Sequence, residues 1–211
     1  GYESYISESK CRNLIKPVIN NGRIFEAESL EITLTEIDID IISKVYDWDK
    51  IGFQNVYGFK KAYLPKPIIE SILNLYQDKT ELKGVEGSEV EYLLSKGMLN
   101  SIYGMSVTDS VKDNAIYNET ENWGVEKVDI IEEIETYNEA KNRFLYYAWG
   151  IWVTAYARRN LWTGILAVGN DYIYSDTDSI KCLNYSKHEP YVHAYNKNVT
   201  AKLTKMCDEL K

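Results

Sequence analysis

This 211-residue chain contains only three cysteines, two histidines and four prolines. Cys11, Cys182 and Cys207 are odd in number and far apart, and the sequence has no C-x-x-C pair and no Cys/His cluster. This spacing argues against a disulfide scaffold and against a structural zinc site. It favours a reducing compartment, so we expect the protein in the cytoplasm.

Long apolar runs and a leader segment are also lacking. The longest uncharged apolar run, residues 144–157, is shorter than the ~20 residues that cross a bilayer, and Arg158 and Arg159 follow it. No basic-then-apolar segment stands at the start. We therefore expect a buried helix here and no membrane partner. Because the sequence begins with Gly1, we also expect it to be an internal piece of a longer protein.

The net charge is −8, and the composition, 45% hydrophobic and 27% charged, is that of a globular chain. An acidic balance is unusual among nucleic-acid binders. However, residues 119–139 hold eight acids and one base, so this stretch alone carries −7. The rest of the chain is close to neutral, and the net charge therefore excludes no nucleic-acid surface elsewhere.

Hydrophobic periodicity and turn residues predict a mixed chain. Pro67 suits a first helical position, and Ser88 with Glu91 has the pattern of a capping box. Gly84 and Gly87 separate two predicted helices, and these two helices should form an antiparallel hairpin. The expected elements are strands at 22–28, 30–35 and 51–59, a short helix capped by Thr35 with Asp38, helices at 67–83 and 88–103, an irregular segment at 105–128, a helix at 138–166, strands at 172–174 and 179–183, and a helix at 191–211.

Two carboxylates stand at the turn of the last strand pair. Asp176 and Asp178 are two residues apart, so both can reach the same region of space. Held close, they repel each other unless a cation lies between them or one binds a proton. Oxygen-only ligands select Mg²⁺, Mn²⁺ or Ca²⁺. Taken alone, Asp-Thr-Asp is more often an ordinary polar turn.

One face of the helix at 88–103 carries Lys96, Asn100 and Tyr103, at positions i, i+4 and i+7. These side chains can hold a phosphate, a base edge and a base or sugar face. Lys79 and Lys83 are spaced i, i+4 on the preceding helix, and they could converge with Lys96. Taken alone, lysines on a helix more often form a solvated face, and Tyr103 is more often ordinary packing.

Three motifs, in the same order along the chain, resemble those of family B DNA polymerases. Residues 96–104, Lys-Gly-Met-Leu-Asn-Ser-Ile-Tyr-Gly, resemble motif B, K-x-x-x-N-S-x-Y-G. Residues 174–179, Tyr-Ser-Asp-Thr-Asp-Ser, match motif C, Y-x-D-T-D-S. Between them, residues 154–158, Thr-Ala-Tyr-Ala-Arg, resemble the T-x-x-A-R motif of the protein-primed bacteriophage branch. The motifs span about half of the chain.

The resemblance implies a nucleotidyltransferase that joins the α-phosphate of a dNTP to a primer 3′-hydroxyl with two Mg²⁺ ions, for which Mn²⁺ can substitute. Asp178 matches a direct metal ligand, and Asp176 a residue that lies beside the metals and supports them. Tyr174 and Thr177 would position the hairpin and its primer-side surface. For a phage-encoded enzyme the compartment would be the cytoplasm of the bacterial host.

The resemblance also implies a set of nucleotide contacts. Lys96 matches a lysine that contacts the incoming triphosphate, and charge-assisted contacts of this kind are strong. Asn100 and Tyr103 would line the pocket of the nascent base pair. Lys79 resembles the triphosphate-contacting lysine of the other finger helix, and Lys83 is a further candidate because the loop between these helices varies in length in the family.

The implied DNA contacts involve Thr154 and Arg158, which would contact or orient the primer strand, Arg158 at a phosphate. Ser101 and Gly104 of motif B belong to the same DNA-contacting set. The implied partners are primer-template DNA, a dNTP and a terminal protein that acts as primer.

The implied fold is α+β, with an antiparallel palm sheet, packed helices and a two-helix fingers hairpin. Residues 1–62 are assigned to palm strands and to the region between motif B and the family's upstream motif A. The fingers hairpin with motif B takes residues 63–104. Residues 105–211 are assigned to an insertion, the palm helix and the motif C hairpin.

Motif A, D-x-x-S-L-Y-P, supplies a further metal-binding aspartate in the family and is absent from these 211 residues. The exonuclease carboxylates, the K-x-Y motif and the thumb are missing as well. We therefore expect an internal fragment that binds metal weakly and is inactive alone.

Two alternatives stay open. The first is a non-catalytic, polymerase-like module that binds nucleic acid or a replication partner. The second is a different two-metal nucleotidyltransferase with a convergent Asp-Thr-Asp hairpin, which leaves the Lys-Asn-Ser-Tyr-Gly helix unexplained.

Overall fold

The computed structural model describes residues 4–117, 122–141 and 143–210. The strands in these ranges are β1 (Cys11–Ile15), β2 (Val18–Asn20), β3 (Arg23–Glu26), β4 (Ser29–Ile32), β5 (Asn114–Tyr117), β6 (Trp123–Glu126), β7 (Tyr172–Asp176) and β8 (Ser179–Cys182). The helices are α1 (Glu36–Val45), α2 (Lys66–Glu81), α3 (Glu89–Ser106), α4 (Ile130–Glu139), α5 (Tyr147–Val168) and α6 (Tyr185–Leu210), with 3₁₀ turns at Glu8–Lys10 and Gly169–Asp171.

The strands confirm a mixed α+β chain with small antiparallel sheets. β1 pairs with β4, β2 with β3, β5 with β6 and β7 with β8, all antiparallel. Register shifts interrupt three of the four pairs, and such irregularities locally disrupt strand pairing. In the described ranges no sheet exceeds two strands, so the single palm sheet stays a prediction.

The chain divides into two compact units. The first combines Gly1–Ala62 with Ile151–Lys211, and the second is Tyr63–Gly150. The first unit is therefore discontinuous in sequence. The assignment of chain segments to palm and fingers stays a prediction.

The hydrophobic core of the first unit is built by the N-terminal segment, β3, α1, α5 and β7. Tyr5 packs edge-to-face on Trp162, with ring centroids 5.4 Å apart, and aromatic pairs in this geometry add to the stabilisation from burial. Each fully buried aliphatic or aromatic side chain stabilises the fold by roughly 1.5–3 kcal/mol. The core residues are Tyr5, Ile6, Ile24, Ile41, Ile42, Trp162, Ile165, Val168 and Tyr172.

The start of α1 confirms the cap expected from the sequence. The Asp38 backbone N–H donates to Thr35 Oγ1 at 3.3 Å, and the Thr35 backbone N–H donates to Asp38 Oδ2 at 3.0 Å. This reciprocal pair is a capping box. It fixes the first turn of α1 and brings the Asp38 carboxylate into the interior, where the residue is only 3% exposed.

The second unit contains the helical hairpin expected from the sequence, with α2 contacting α3. The expected capping box at Ser88 is wrong: Ser88 makes no side-chain cap hydrogen bond. Its ψ of 18° lies outside the extended region that capping residues normally adopt. Among the described residues of this unit, no hydrophobic side chain is fully buried.

Several element boundaries differ from the predictions. The expected strand at 51–59 is wrong: these residues form no regular element and pair with nothing in a sheet, and a strand needs a paired neighbour. α3 continues through Gly104 to Ser106. The segment expected to be irregular holds the β5–β6 hairpin, and the helix expected at 138–166 is instead α4 and α5.

No helix of the described ranges combines the length and the apolar character that crossing a membrane requires.

Candidate functional site

The β7–β8 hairpin forms where the sequence predicts it. Asp176 pairs with Ser179, so Thr177 and Asp178 are the two residues of the turn. Thr177 has φ of 49°, a left-handed conformation that is rare for a β-branched residue. Its Oγ1 donates to Asp176 Oδ1 at 3.0 Å. Asp176 therefore ends β7 and Asp178 stands in the turn, on a backbone that carries local strain at Thr177.

Both carboxylates of the turn face solvent, since Asp176 and Asp178 are exposed. Ser179 Oγ donates to the Asp176 carbonyl at 3.1 Å and tightens the turn. Carboxylate oxygens of this kind are ligands that suit a hard cation. The described part of the chain holds no group of three or more His, Cys, Asp or Glu residues placed to bind a metal ion.

The base of the hairpin is anchored in the core. Tyr172, the first residue of β7, is buried, and Ile180 of β8 packs against the core. Gly164 of α5 lies so close to β8 that a Cβ there would come within 2.5 Å of Ile180 Cδ1. Tyr174 is half exposed on β7, and the Lys181 ammonium lies 6.0 Å from its ring centroid. The tip thus projects from a fixed support.

A polar cluster that the sequence analysis missed holds the start of α6 beside this base. Asp171 accepts hydrogen bonds from Asn184 Nδ2 at 3.0 Å and Lys187 Nζ at 3.2 Å. His188 Nε2 lies 2.7 Å from Asp171 Oδ2 and donates to the ionised carboxylate. Together these bonds, led by that from His188, lower the pKa of Asp171 to about 2. His188 lies 17 residues from Asp171, so no local sequence pattern predicts that these two residues form a pair.

The motif B residues lie together on α3, in the second unit. Lys96, Asn100 and Ser101 are exposed, and Tyr103 is half-buried. Lys96 Nζ lies 5.9 Å from the Tyr92 ring centroid, and Ser101 Oγ donates to the Gly97 carbonyl at 2.9 Å. The helix therefore presents an ammonium and an amide to solvent with the expected spacing.

Gly104 lies inside α3 and has open space where a Cβ would stand. Packing within the described chain therefore gives no reason for a glycine at this position.

The lysines of α2 have different surroundings. Lys79 is half-buried, with its ammonium 5.9 Å from the Tyr76 ring centroid. Lys83 is exposed and follows the end of α2. Lys79 and Lys96 thus lie on two helices in contact within one unit, whereas Asp176 and Asp178 belong to the other unit.

The T-x-x-A-R residues lie on α5. Thr154 Oγ1 donates to the Ile151 carbonyl at 2.9 Å. Arg158 Nε donates to Asp38 Oδ1 at 2.9 Å and to the Tyr5 hydroxyl at 3.0 Å, and Arg158 Nη2 lies 2.8 Å from the same Asp38 oxygen. The Tyr5 hydroxyl also donates to Asp38. Arg158 therefore belongs to a network that the sequence analysis did not foresee.

The ionisation of Asp38 follows from this network. Burial alone would raise its pKa, but hydrogen bonds from Tyr5, Thr35 and Arg158 outweigh the burial and lower the pKa below its usual range. Burial, with the neighbouring carboxylate, raises the pKa of Tyr5 well above its usual value. The centre is thus an ionised carboxylate facing a guanidinium and a neutral phenol.

No family model matches the chain, and no curated protein or solved structure does so either.

Proposed function

We propose that the chain is the palm-and-fingers part of a DNA-directed DNA polymerase of family B, of the protein-primed bacteriophage type, acting in the cytoplasm of a bacterial host. The observation that carries this proposal is the β7–β8 turn. Asp176 and Asp178 present exposed carboxylates on either side of Thr177, on a hairpin whose base is fixed in the core. The reaction is template-directed addition of a dNTP to a primer 3′-hydroxyl.

The donor set at the turn suits Mg²⁺, because carboxylate oxygens are its preferred protein ligands. Asp178 would hold the ion directly, and Asp176 would support it from the neighbouring position. When bound, the ion would neutralise charge on the reacting phosphate and on the leaving pyrophosphate. Motif A is absent from the 211 residues, so we expect these two carboxylates alone to bind metal weakly and to support no turnover.

The exposed motif B side chains supply the nucleotide contacts in this proposal. Lys96 would bind the triphosphate of the dNTP, with Lys79 and Lys83 of the other arm as further cations. Asn100 and Tyr103 would contact the base pair being formed. These roles are supported by the placement of the three lysines on or next to two helices that contact each other.

The network at Arg158 supports a role in holding the primer. Asp38 accepts from two nitrogens of the guanidinium and fixes its orientation, while 44% of the Arg158 side chain stays exposed. An arginine held in this way can present its remaining N–H groups to a phosphate without losing further side-chain freedom. Thr154 lies one helical turn before Arg158 and would share the primer contact, together with Ser101 and Gly104 of motif B.

Primer extension by the complete gene product tests the proposal. The gene is expected to encode D-x-x-S-L-Y-P just upstream of Gly1, and its product should extend a primer on a template with dNTPs and Mg²⁺ or Mn²⁺. Asp178→Asn should abolish extension, and Lys96→Ala should raise the dNTP concentration needed. Asp208→Asn, an exposed acid on α6, is the matched control and should leave extension unchanged. Extension that survives Asp178→Asn would refute the proposal.

A non-catalytic polymerase-like module that binds nucleic acid or a replication partner is the competing function. It predicts that the complete product binds primer-template DNA but incorporates no dNTP at any metal concentration. Metal-dependent incorporation by the 211-residue chain alone would instead contradict the expected inactivity of this part.

A further inference from the structure

The segment that links α1 to α2 has an unusual content. Residues 50–62 contain three aromatic rings, three lysines and neither Asp nor Glu, so the segment carries +3 in a chain of net charge −8. No helix or strand forms in it. We call these 13 residues the aromatic–lysine segment; its rings are Phe53, Tyr57 and Phe59, and its lysines are Lys50, Lys60 and Lys61.

The three rings of the aromatic–lysine segment are exposed to solvent. Phe53 is 63% exposed, Tyr57 77% and Phe59 59%. Large apolar side chains that stay exposed close together in sequence can mark an interaction site. Here the rings are flanked in sequence by Lys50 on one side and by Lys60 and Lys61 on the other, which favours an anionic ligand that also offers flat apolar faces.

One contact ties the segment to the rest of the first unit. The Phe59 ring lies edge-to-face on Trp152 of α5, with centroids 5.4 Å apart. Trp152 Nε1 donates to Glu36 Oε1 at 2.9 Å, at the start of α1. Phe59 is thus held at its edge by a supported ring, and more than half of its surface remains open to a ligand.

We propose that the aromatic–lysine segment binds single-stranded DNA, with bases stacked on Phe53, Tyr57 and Phe59 and phosphates paired with its lysines. Single-strand binders combine these two elements, and stacking tolerates any base because every base has a π-face. Tyr57 and Phe59 are two residues apart, at most about 7 Å along an extended chain. Stacked bases repeat every ~3.4 Å, so one base fits between the two rings. The choice of DNA rests on the proposed polymerase function.

Charge and spacing favour this ligand over an anionic membrane surface. Lipid-binding segments carry clusters of 4–8 Lys or Arg residues, whereas this segment has three lysines, two of them adjacent. Binding to phosphatidylserine vesicles is therefore an outcome that the experiment must exclude.

Fluorescence anisotropy of a labelled 20-nucleotide oligo(dT), titrated with the 211-residue chain, tests the proposal. Removing one stacking ring typically weakens binding about 5-fold or more. We therefore expect the triple variant Phe53→Ala, Tyr57→Ala, Phe59→Ala to bind at least about 100-fold more weakly. Tyr185→Ala, which removes a half-exposed ring elsewhere in the same unit, is the matched control and should bind like the wild type.

The lysines give a second readout. Each phosphate contact to a single strand contributes about 0.7 to the slope of log K against log salt. Lys60→Ala with Lys61→Ala should therefore reduce that slope by about 1.4. The control pair Lys197→Ala and Lys202→Ala, two exposed lysines of α6, should leave the slope unchanged. Equal slopes for both pairs would overturn the phosphate contacts.

A conservative variant distinguishes the loss of a stacking ring from a loss of binding that is caused by unfolding. Tyr57→Trp keeps a stacking surface, so we expect wild-type affinity and quenching of the added tryptophan by the oligonucleotide. The triple variant loses the ring contact between Phe59 and Trp152, so its unfolding midpoint in urea should fall slightly while the transition stays cooperative. Wild-type oligonucleotide affinity of the triple variant would overturn the proposal, as would binding only to phosphatidylserine vesicles.

The two proposals fail in different ways. If the triple variant loses oligonucleotide binding while the complete gene product extends no primer, the polymerase function fails and the segment still binds single strands. If extension depends on Asp178 while the triple variant binds the oligonucleotide normally, the segment proposal fails and the polymerase function stands.

Discussion

Asp38 and Arg158 form an ion pair across 120 residues of sequence, with a buried carboxylate and a half-exposed guanidinium. The carboxylate caps α1 through Thr35 and receives the Tyr5 hydroxyl. A single buried side chain thereby joins the N-terminal segment, the start of α1 and the middle of α5.

Asp38→Ala should destabilise the protein by about 2–4 kcal/mol, because it removes a cap and leaves Arg158 without its buried partner. Urea unfolding measures the change. Asp40→Ala, which loses only an exposed pair with Lys44, should stay within about 0.5 kcal/mol of the wild type. Equal unfolding midpoints for the two variants would contradict the contribution of the network.

Asp171 should make the free energy of unfolding depend on pH. Its pKa is about 2 in the folded chain, against about 3.9 in the unfolded chain. A lowered folded-state pKa means that the stabilisation is complete above about pH 4 and disappears as the pH falls toward 2. The advantage of the wild type over Asp171→Asn should therefore shrink between pH 5 and pH 2.5 in urea unfolding. A difference that stays constant with pH would argue against the cluster, and Asp208→Asn serves as the control.

Gly150 should not tolerate a side chain. A Cβ at this position would overlap with Val107 Cγ1 and crowd Ser106 Oγ at 3.1 Å. Gly150→Ala should therefore cost about 1–3 kcal/mol, and Val107→Ala in the same chain should recover part of the loss. At Gly97 on α3, where a Cβ meets open space, alanine should instead stabilise by about 0.5–1 kcal/mol. Thermal unfolding of the three variants and the wild type compares their stabilities.

Thr177 should prefer glycine over alanine. At φ of 49° an L-residue bears a steric cost of roughly 1–2 kcal/mol that glycine avoids. Thr177→Gly should thus be more stable than Thr177→Ala by about 1 kcal/mol. At Thr163, within α5, the order should reverse, because alanine exceeds glycine by about 1 kcal/mol in a helix. The same order at both positions would refute the left-handed turn.

Two features set by neighbouring residues were predicted correctly from the sequence, although the equally local capping box at Ser88 was not. The Thr35–Asp38 capping box and the β7–β8 hairpin depend on residues a few positions apart, and both form as expected. Features set by distant residues were not predicted. The sequence gives no sign that Asp171 meets His188 or that Asp38 meets Arg158, because each partner is chosen by tertiary packing.

The start of α6 illustrates the difference. The sequence predicts a last helix at 191–211, which would leave Pro190 outside it, and proline is costly inside a helix. The helix instead begins at Tyr185 and contains Pro190. Lys187 and His188, in the first turns of this helix, both contact Asp171, a residue that precedes the helix by 14 positions. Residues 51–59 show the same dependence on tertiary structure. Their composition is typical of a strand, but no other strand pairs with them.

The division of the first unit between two distant stretches of chain has a consequence for biosynthesis. During translation at roughly 5–20 residues per second, Arg158 emerges about 6–24 s after Asp38, from which it is separated by 120 residues. For that interval the ribosome-bound chain holds Ile41 and Ile42 without the α5 residues that later cover them. The first unit therefore completes its fold only after the whole second unit has been synthesised, and in the meantime its apolar surface is a target for chaperones.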